Sequence, residues 1–154
     1  MLENAKKITV IGGGIWGQTL ANLARRNHLT VRVWSRHSGE DLGAIIADTE
    51  VIISAVSIKG VSPTIEKLQQ LPLNSRIIIV TATKGLDPIT TRTPFHLWNQ
   101  AFPANPLVVL SGPNLAKEIN QGLPRCDSGS KLSAKSGNIV TKIIIWGIFS
   151  GLSE

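Results

Sequence analysis

Three glycines near the N-terminus have the spacing of a phosphate-binding turn: Gly12, Gly14 and Gly17. An apolar run at residues 8–11 precedes them and an amphipathic run begins at Ile15, an order that predicts strand, turn and helix. Gly12 would permit the turn, Gly14 would let a pyrophosphate approach the backbone, and Gly17 would let the helix pack on the strand. In this context the motif indicates dinucleotide binding. A glycine-rich turn of another α/β protein, such as a methyltransferase, is the alternative.

A cation follows the second predicted strand, Thr30–Trp34, at a place where NAD-binding domains usually carry an acid for the ribose 2′-OH. The residues there are Trp34, Ser35, Arg36 and His37, and none of them is acidic. The planar donors of Arg36 suit a 2′-phosphate. We therefore favour NADP(H), with NAD(H) possible. The alternative is a solvated loop arginine.

Two further stretches could bind anions. Lys84 follows a predicted strand at 75–81 and could hold a substrate phosphate or polarise a carbonyl, although a lone loop lysine is usually only solvated. The run 111–114, Ser-Gly-Pro-Asn, would open a helix to about residue 120 and expose backbone N–H groups. Its alternative role is ordinary helix capping.

These residues need a scaffold of strands alternating with helices, which predicts a Rossmann-like, doubly wound and mainly parallel α/β sheet. In such a sheet the loops after successive strands meet at one crevice, and Trp16 would border the cofactor there. The predicted helices cover residues 15–27, 40–47, from near Pro63 to 70, and 94–100. The predicted strands after the first cover 30–34, 51–56, 75–81 and 107–110.

Composition limits the other functions. The 154 residues carry a net charge of +6 and 42% hydrophobic residues, which suits one domain that binds anions. No basic cluster interleaves with aromatic residues, so nucleic acid is a poor candidate. One cysteine excludes an internal disulfide and a cysteine-based zinc site, and the three histidines have no spacing of a metal site. With no signal-peptide pattern and no membrane-spanning run, we expect a cytoplasmic protein.

Three stretches together resemble the bacterial type of NAD(P)-dependent glycerol-3-phosphate dehydrogenase. They are Ile-Thr-Val-Ile-Gly-Gly-Gly-Ile-Trp-Gly-Gln-Thr-Leu-Ala from residue 8, Ala-Thr-Lys-Gly-Leu-Asp-Pro from residue 82, and Leu-Ser-Gly-Pro-Asn-Leu-Ala-Lys-Glu-Ile from residue 110. The last two are far more specific than the glycine motif. The resemblance covers about residues 6–124, the cofactor domain of a family about twice this length.

The resemblance implies reduction of dihydroxyacetone phosphate to sn-glycerol 3-phosphate, a phospholipid precursor, by enzymes that are dimers. It implies cofactor contacts from Ile15, Trp16, Arg36, Lys84 and Ala116, and substrate contacts from Lys84, Gly112 and Asn114. Within the stretch that resembles the family, the sequence departs from it at three places. Many members have serine at the position of Ile15 and serine or threonine at that of Asn114. The segment between Trp34 and Val51 is shorter than in most members.

The largest departure follows Pro124, where the family continues with the strand Ala-Ala-Thr-Val-Val-Ala-Ser and a helical domain that carries a second, catalytic lysine. Here the sequence is Arg-Cys-Asp-Ser-Gly-Ser-Lys, and one choice of codons for it spells the family strand when it is read one base later, so the sequence is compatible with a frameshift. We therefore predict a domain at 1–124 and a frameshifted, poorly ordered tail at 125–154. No catalytic residue of the second domain is then present, and we expect the chain to be inactive alone.

Two other functions stay open from the sequence. The chain could be a non-catalytic dinucleotide-binding module or a decayed gene product. It could also belong to a reductase of another two-domain type that acts on a different acid or keto compound. The run 111–114 disfavours that reductase, because its helix start suits a phosphorylated substrate.

Overall fold

The computed structural model describes residues 7–110 and 133–134, and it confirms the doubly wound α/β fold. Strands and helices alternate along the described chain. In order they are β1 (Lys7–Ile11), α1 (Ile15–Arg26), β2 (Thr30–Trp34), α2 (Leu42–Ile46), β3 (Val51–Ser54), α3 (Ile58–Gln69), β4 (Ile78–Thr81), α4 (Pro94–Ala101), β5 (Leu107–Val109) and β6 (Ser133–Ala134).

The strands form one sheet in the order β2-β1-β3-β4-β5-β6. The first five strands along the chain are parallel, and β1 lies between β2 and β3. The chain therefore winds outward from β1 in one direction and then in the other. β6 is the last strand in this order and pairs antiparallel with β5. Apart from β6, the predicted tail at 125–154 lies outside the described residues, as does the predicted helix after 111.

The sheet is buried on both faces, which explains why its strands are nearly continuous apolar runs. One face packs Val10, Ile53 and Val80 against α1 residues such as Leu20. Alternate residues of the same strands, such as Ile52, point to the other face, where α2, α3 and α4 cover them. The predicted inner face of α1 is confirmed, because Leu20, Leu23 and Ala24 are buried.

Helix α3 begins earlier than the sequence predicts. The prediction placed its start near Pro63, but the helix begins at Ile58 and contains Pro63. Proline favours first turns and removes one backbone donor from a helix interior. Here the helix continues through it because Val61, Ile65 and Leu68 form one buried stripe. Burial of that stripe outweighs the missing hydrogen bond.

Strand ends also differ slightly from the prediction. β3 ends at Ser54, and β4 begins at Ile78 rather than at residue 75. Both changes lie in the connections, and the strand register is fixed by the apolar pairs in between, such as Ile52 beside Ile79. The carboxyl ends of β1, β2, β3 and β4 therefore all lie at the same edge of the sheet.

Candidate functional site

The turn after β1 is fixed between two neighbouring strands. The backbone N–H of Gly12 donates to the carbonyl of Trp34 at 2.9 Å, and the N–H of Ala55 donates to the carbonyl of Ile11 at 2.8 Å. Gly12 has a φ of +123°, a conformation that residues with a side chain rarely adopt. A Cβ there would lie 2.6 Å from the carbonyl oxygen of Ala55. The predicted turn role of Gly12 is therefore confirmed.

The other two motif glycines have opposite surroundings. A Cβ on Gly17 would lie 1.9 Å from the carbonyl oxygen of Gly12, so only glycine lets α1 pack this closely on the turn. A Cβ on Gly14 would meet no atom within 4 Å. Gly14 is the N-cap of α1, and no side chain among the described residues caps that helix. The first turn of α1 thus presents backbone donors to an open space, the arrangement that binds a phosphate group.

A cavity of about 510 Å³ begins at this turn. Gly12 and Gly13 form one wall, the loop after β2 with Arg36 and His37 forms a second, and α3 forms a third. Among the described residues that line it, Arg36 and the α3 residue Lys67 are the charged ones, and none is Asp or Glu. The cavity is therefore a cationic pocket beside a phosphate-binding turn. Its volume and charge fit the adenosine half of a phosphorylated dinucleotide.

Trp16 and Lys84 lie on the neighbouring part of the same edge. The indole Nε1 of half-buried Trp16 donates to the carbonyl of Ala82 at 3.1 Å, which ties the start of α1 to the end of β4. The hydroxyl of Thr83 donates to the carbonyl of Val56 at 2.7 Å, which ties the loop of Lys84 to the loop after β3. Lys84 is exposed and does not line the cavity. Ile15, the first residue of α1, is 80% exposed.

The loop that carries Lys84 is shaped by Asp87, a residue that the sequence analysis did not single out. One oxygen of the buried Asp87 carboxylate accepts hydrogen bonds from the N–H of Thr90 at 2.7 Å, from the hydroxyl of Thr90 at 2.8 Å and from the N–H of Ile89 at 3.2 Å. The backbone N–H of Thr90, its hydroxyl and the N–H of Ile89 together lower the pKa of Asp87, against an opposing effect of desolvation. The Asp-Pro-Ile-Thr sequence was the available signal, because Asp accepts from backbone donors two and three residues ahead in such turns.

A larger cavity, about 680 Å³, lies at the opposite edge of the sheet. Its lining includes Asp48, Glu50 and Arg76, which lie near the amino ends of the strands. Ligands of open parallel sheets bind at the carboxyl ends, so the smaller cavity is the better candidate. Among the described residues, no cluster of His, Cys, Asp or Glu could hold a metal ion, and no helix is long and apolar enough to cross a membrane.

The structure thus brings several predicted site residues to one edge. Gly12 and Arg36 line the cavity, Gly14, Ile15 and Trp16 follow the turn, and Lys84 lies on an adjoining loop. Gly112, Asn114 and Ala116 lie outside the described residues. Lys67 was not predicted as a site residue, because an exposed lysine in a helix gives no local signal in sequence.

Comparisons with known proteins agree with the fold and the motifs. The family model described as the N-terminus of NAD-dependent glycerol-3-phosphate dehydrogenase matches residues 7–41 and 37–127. A glycerol-3-phosphate dehydrogenase (NAD(P)+) from Synechocystis sp. is 50% identical over 122 residues, which are 79% of this chain and 38% of that protein. One from Acaryochloris marina is 51% identical over 117 residues, or 76% and 38%.

A solved structure shows the same fold. The crystal structure of glycerol-3-phosphate dehydrogenase from Coxiella burnetii superposes with a TM-score of 0.79, covering 94% of this chain and 50% of that chain at 23% sequence identity. The chain spans about two fifths of the length of the curated relatives that it matches.

Proposed function

The chain belongs to the family of the N-terminal domain of NAD-dependent glycerol-3-phosphate dehydrogenase, and from this premise we propose that it binds NADP(H) in the cavity between Gly12 and Arg36. The single observation that carries the proposal is the uncapped α1 N-terminus behind Gly14, which opens beside a cationic cavity. Backbone donors there would hold the pyrophosphate. The cavity would hold the adenosine.

The preference for NADP(H) over NAD(H) follows from charge. A ribose 2′-OH is usually held by an acid after the second strand, and none of the described residues that line the cavity is acidic. A 2′-phosphate carries negative charge, and the guanidinium of Arg36 can donate two parallel hydrogen bonds to it. NAD(H) has a neutral hydroxyl in place of this phosphate and would gain less from Arg36, because the hydrogen bond would lack the charge of the acceptor.

We further propose that the chain serves the reduction of dihydroxyacetone phosphate to glycerol 3-phosphate, the reaction that the resemblance implies, and its relatives are named glycerol-3-phosphate dehydrogenases. When bound, the reduced nicotinamide supplies the hydride. Trp16 would shape the cofactor's surroundings, with Ile15 and Ala116 as further contacts. Lys84 would attract the substrate phosphate and stabilise negative charge that develops on the carbonyl oxygen. Gly112 and Asn114 would bind the substrate, and the cytoplasm is the proposed location.

A non-catalytic dinucleotide-binding module is the second candidate. It is favoured by the described lining of the cavity, which offers groups that bind a cofactor, whereas Lys84 is exposed and does not line it. Both candidates require cofactor binding, and they differ in turnover. The purified chain with NADPH and dihydroxyacetone phosphate separates them, because measurable NADPH oxidation, even if slow, supports the first candidate and NADPH binding without any oxidation supports the second.

Binding itself is tested by titrating the 154-residue chain with NADPH and following the fluorescence of the reduced nicotinamide. We expect saturable binding to one site. The matched variant is Gly14→Ser, whose Cβ would meet no protein atom within 4 Å and therefore leaves the fold intact. Its side chain fills the space of the pyrophosphate, and we expect the dissociation constant to rise at least about tenfold. A folded wild-type chain that binds no NADPH would refute the proposal.

A further inference from the structure

The α3 helix contributes a cation to the same cavity as the loop after β2. Lys67 lies in the last turn of α3, and its side chain lines the cavity together with Arg36. The two cations come from different elements. Their meeting is therefore a product of the fold and not of a local sequence motif.

Trp34 positions the ammonium group of Lys67. The Nζ atom lies 5.2 Å from the centroid of the Trp34 ring, within the range of a cation–π contact. The ring itself is buried, and its Nε1 donates to the carbonyl of Glu40 at 2.9 Å. A fixed ring reduces the freedom of the long lysine side chain, so less entropy is lost when the ammonium group binds a ligand.

The charge of these two side chains is available to a ligand. The ion pairs found among the described residues join Asp48 to Lys7 and Arg32, at the opposite edge of the sheet. Neither Arg36 nor Lys67 pairs with a described carboxylate, and the lining residues that the structure describes include no Asp or Glu. Two cations and no anion around one cavity favour a ligand group with about two negative charges, which a phosphate monoester has.

We propose that Lys67 is a specificity-determining residue that binds the 2′-phosphate of NADP(H) together with Arg36. The inference rests on the proposed cofactor site and adds a second contact to it. Arg36 supplies a planar fork of donors from the loop after β2, and Lys67 supplies a compact charge from α3. NAD(H) has a hydroxyl in place of that phosphate. The contribution of Lys67 is therefore specific to one of the two cofactors.

The test compares the dissociation constants of NADPH and NADH for wild type, Lys67→Gln and Lys67→Arg. We expect Lys67→Gln to weaken NADPH binding about tenfold and to leave NADH binding unchanged, because it removes one charge-assisted hydrogen bond. Lys67→Arg restores most of the NADPH affinity. The matched control is Lys59→Gln, which removes the same charge from an exposed position of α3 that does not line the cavity. It should weaken NADPH binding by less than about twofold, given solvent screening.

The outcomes separate this inference from the proposed function. If the wild type binds NADPH and Lys67→Gln binds it equally well, the role of Lys67 is wrong and the cofactor site stands. The same holds if Lys67→Gln weakens both cofactors equally, or if Lys59→Gln has the same effect. If the folded wild type binds neither cofactor, the proposed function fails together with the inference.

Discussion

Substitution of Gly17 by alanine tests the packing of α1 on the glycine turn. The added Cβ would lie 1.9 Å from the carbonyl oxygen of Gly12 and 2.9 Å from its carbonyl carbon. To reach even a tight contact of 3.0 Å, the helix and the turn must move apart by about 1.1 Å. The turn cannot swing aside as a flexible side chain could, because Gly12 is hydrogen-bonded to the end of β2.

The expected loss of stability combines two opposing effects. Overpacking of a rigid site costs about 3 kcal/mol at the upper end of its usual range. Alanine is about 1 kcal/mol better than glycine inside a helix. The free energy of unfolding should therefore fall by about 2 kcal/mol, which lowers the urea midpoint by about 1 M for an ordinary denaturant slope of about 2 kcal/mol per molar.

Urea denaturation followed by circular dichroism measures this change, with Gly14→Ser as the matched control. The control also adds a Cβ to a motif glycine, but in open space, and its hydroxyl can cap α1. We expect its midpoint to equal or exceed that of wild type. A Gly17→Ala midpoint equal to wild type would refute the packing described for α1, and an equal loss in both variants would show that the contact with Gly12 is not the cause.

Three further predictions follow from the loop, the activity and the gene. Asp87→Asn should loosen the loop that carries Lys84, because the Thr90 amide donates to the Asp87 carboxylate. We expect faster hydrogen exchange at the Thr90 amide of the variant at neutral pH. Equal exchange rates in wild type and variant would contradict the role of the carboxylate. The pKa of Asp87 is lowered in the folded chain, so its carboxylate stabilises the fold fully at a pH above the unfolded pKa of about 3.9. This contribution is lost as the pH falls through the folded pKa. The free energies of unfolding of wild type and Asp87→Asn should therefore converge in acid. The purified 154-residue chain should reduce dihydroxyacetone phosphate with NADPH about a hundredfold to ten-thousandfold more slowly than a full-length relative, since the resemblance places a second lysine beyond the matched stretch; comparable rates would contradict this. Sequencing of the gene around the codon of Pro124 should reveal a second frame that continues the family strand, and a second frame without it would remove the frameshift hypothesis.

The parts of the fold that the sequence predicts well are those where local pattern and tertiary packing agree. β2 has the predicted bounds, and α1 ends one residue before the predicted end. The start of α1 is predicted correctly because its apolar stripe begins directly after a turn that requires glycine at position 12. The start of α3 was misplaced because Pro63 is a local signal for a first turn. The buried stripe that includes Val61 extends the helix on both sides of it.

The candidate site divides in the same way. Gly12, Gly17 and Arg36 have roles that follow from residue type and position after a strand, so they could be predicted. Lys67 could not, because its place over Trp34 depends on how α3 packs across the end of β2. Asp87 gives a weak local signal, but its importance depends on burial, which the sequence does not show.

Backbone amide chemical shifts of the chain, measured with and without NADPH, test the central claim most directly. If the glycine turn holds the pyrophosphate, the amides of Gly13, Gly14 and Ile15 should shift most, with Arg36 next. The amides around Asp48 and Arg76, which line the larger cavity at the opposite edge, should stay in place. The largest shifts at that opposite edge, or no shifts at saturating NADPH, would contradict the account.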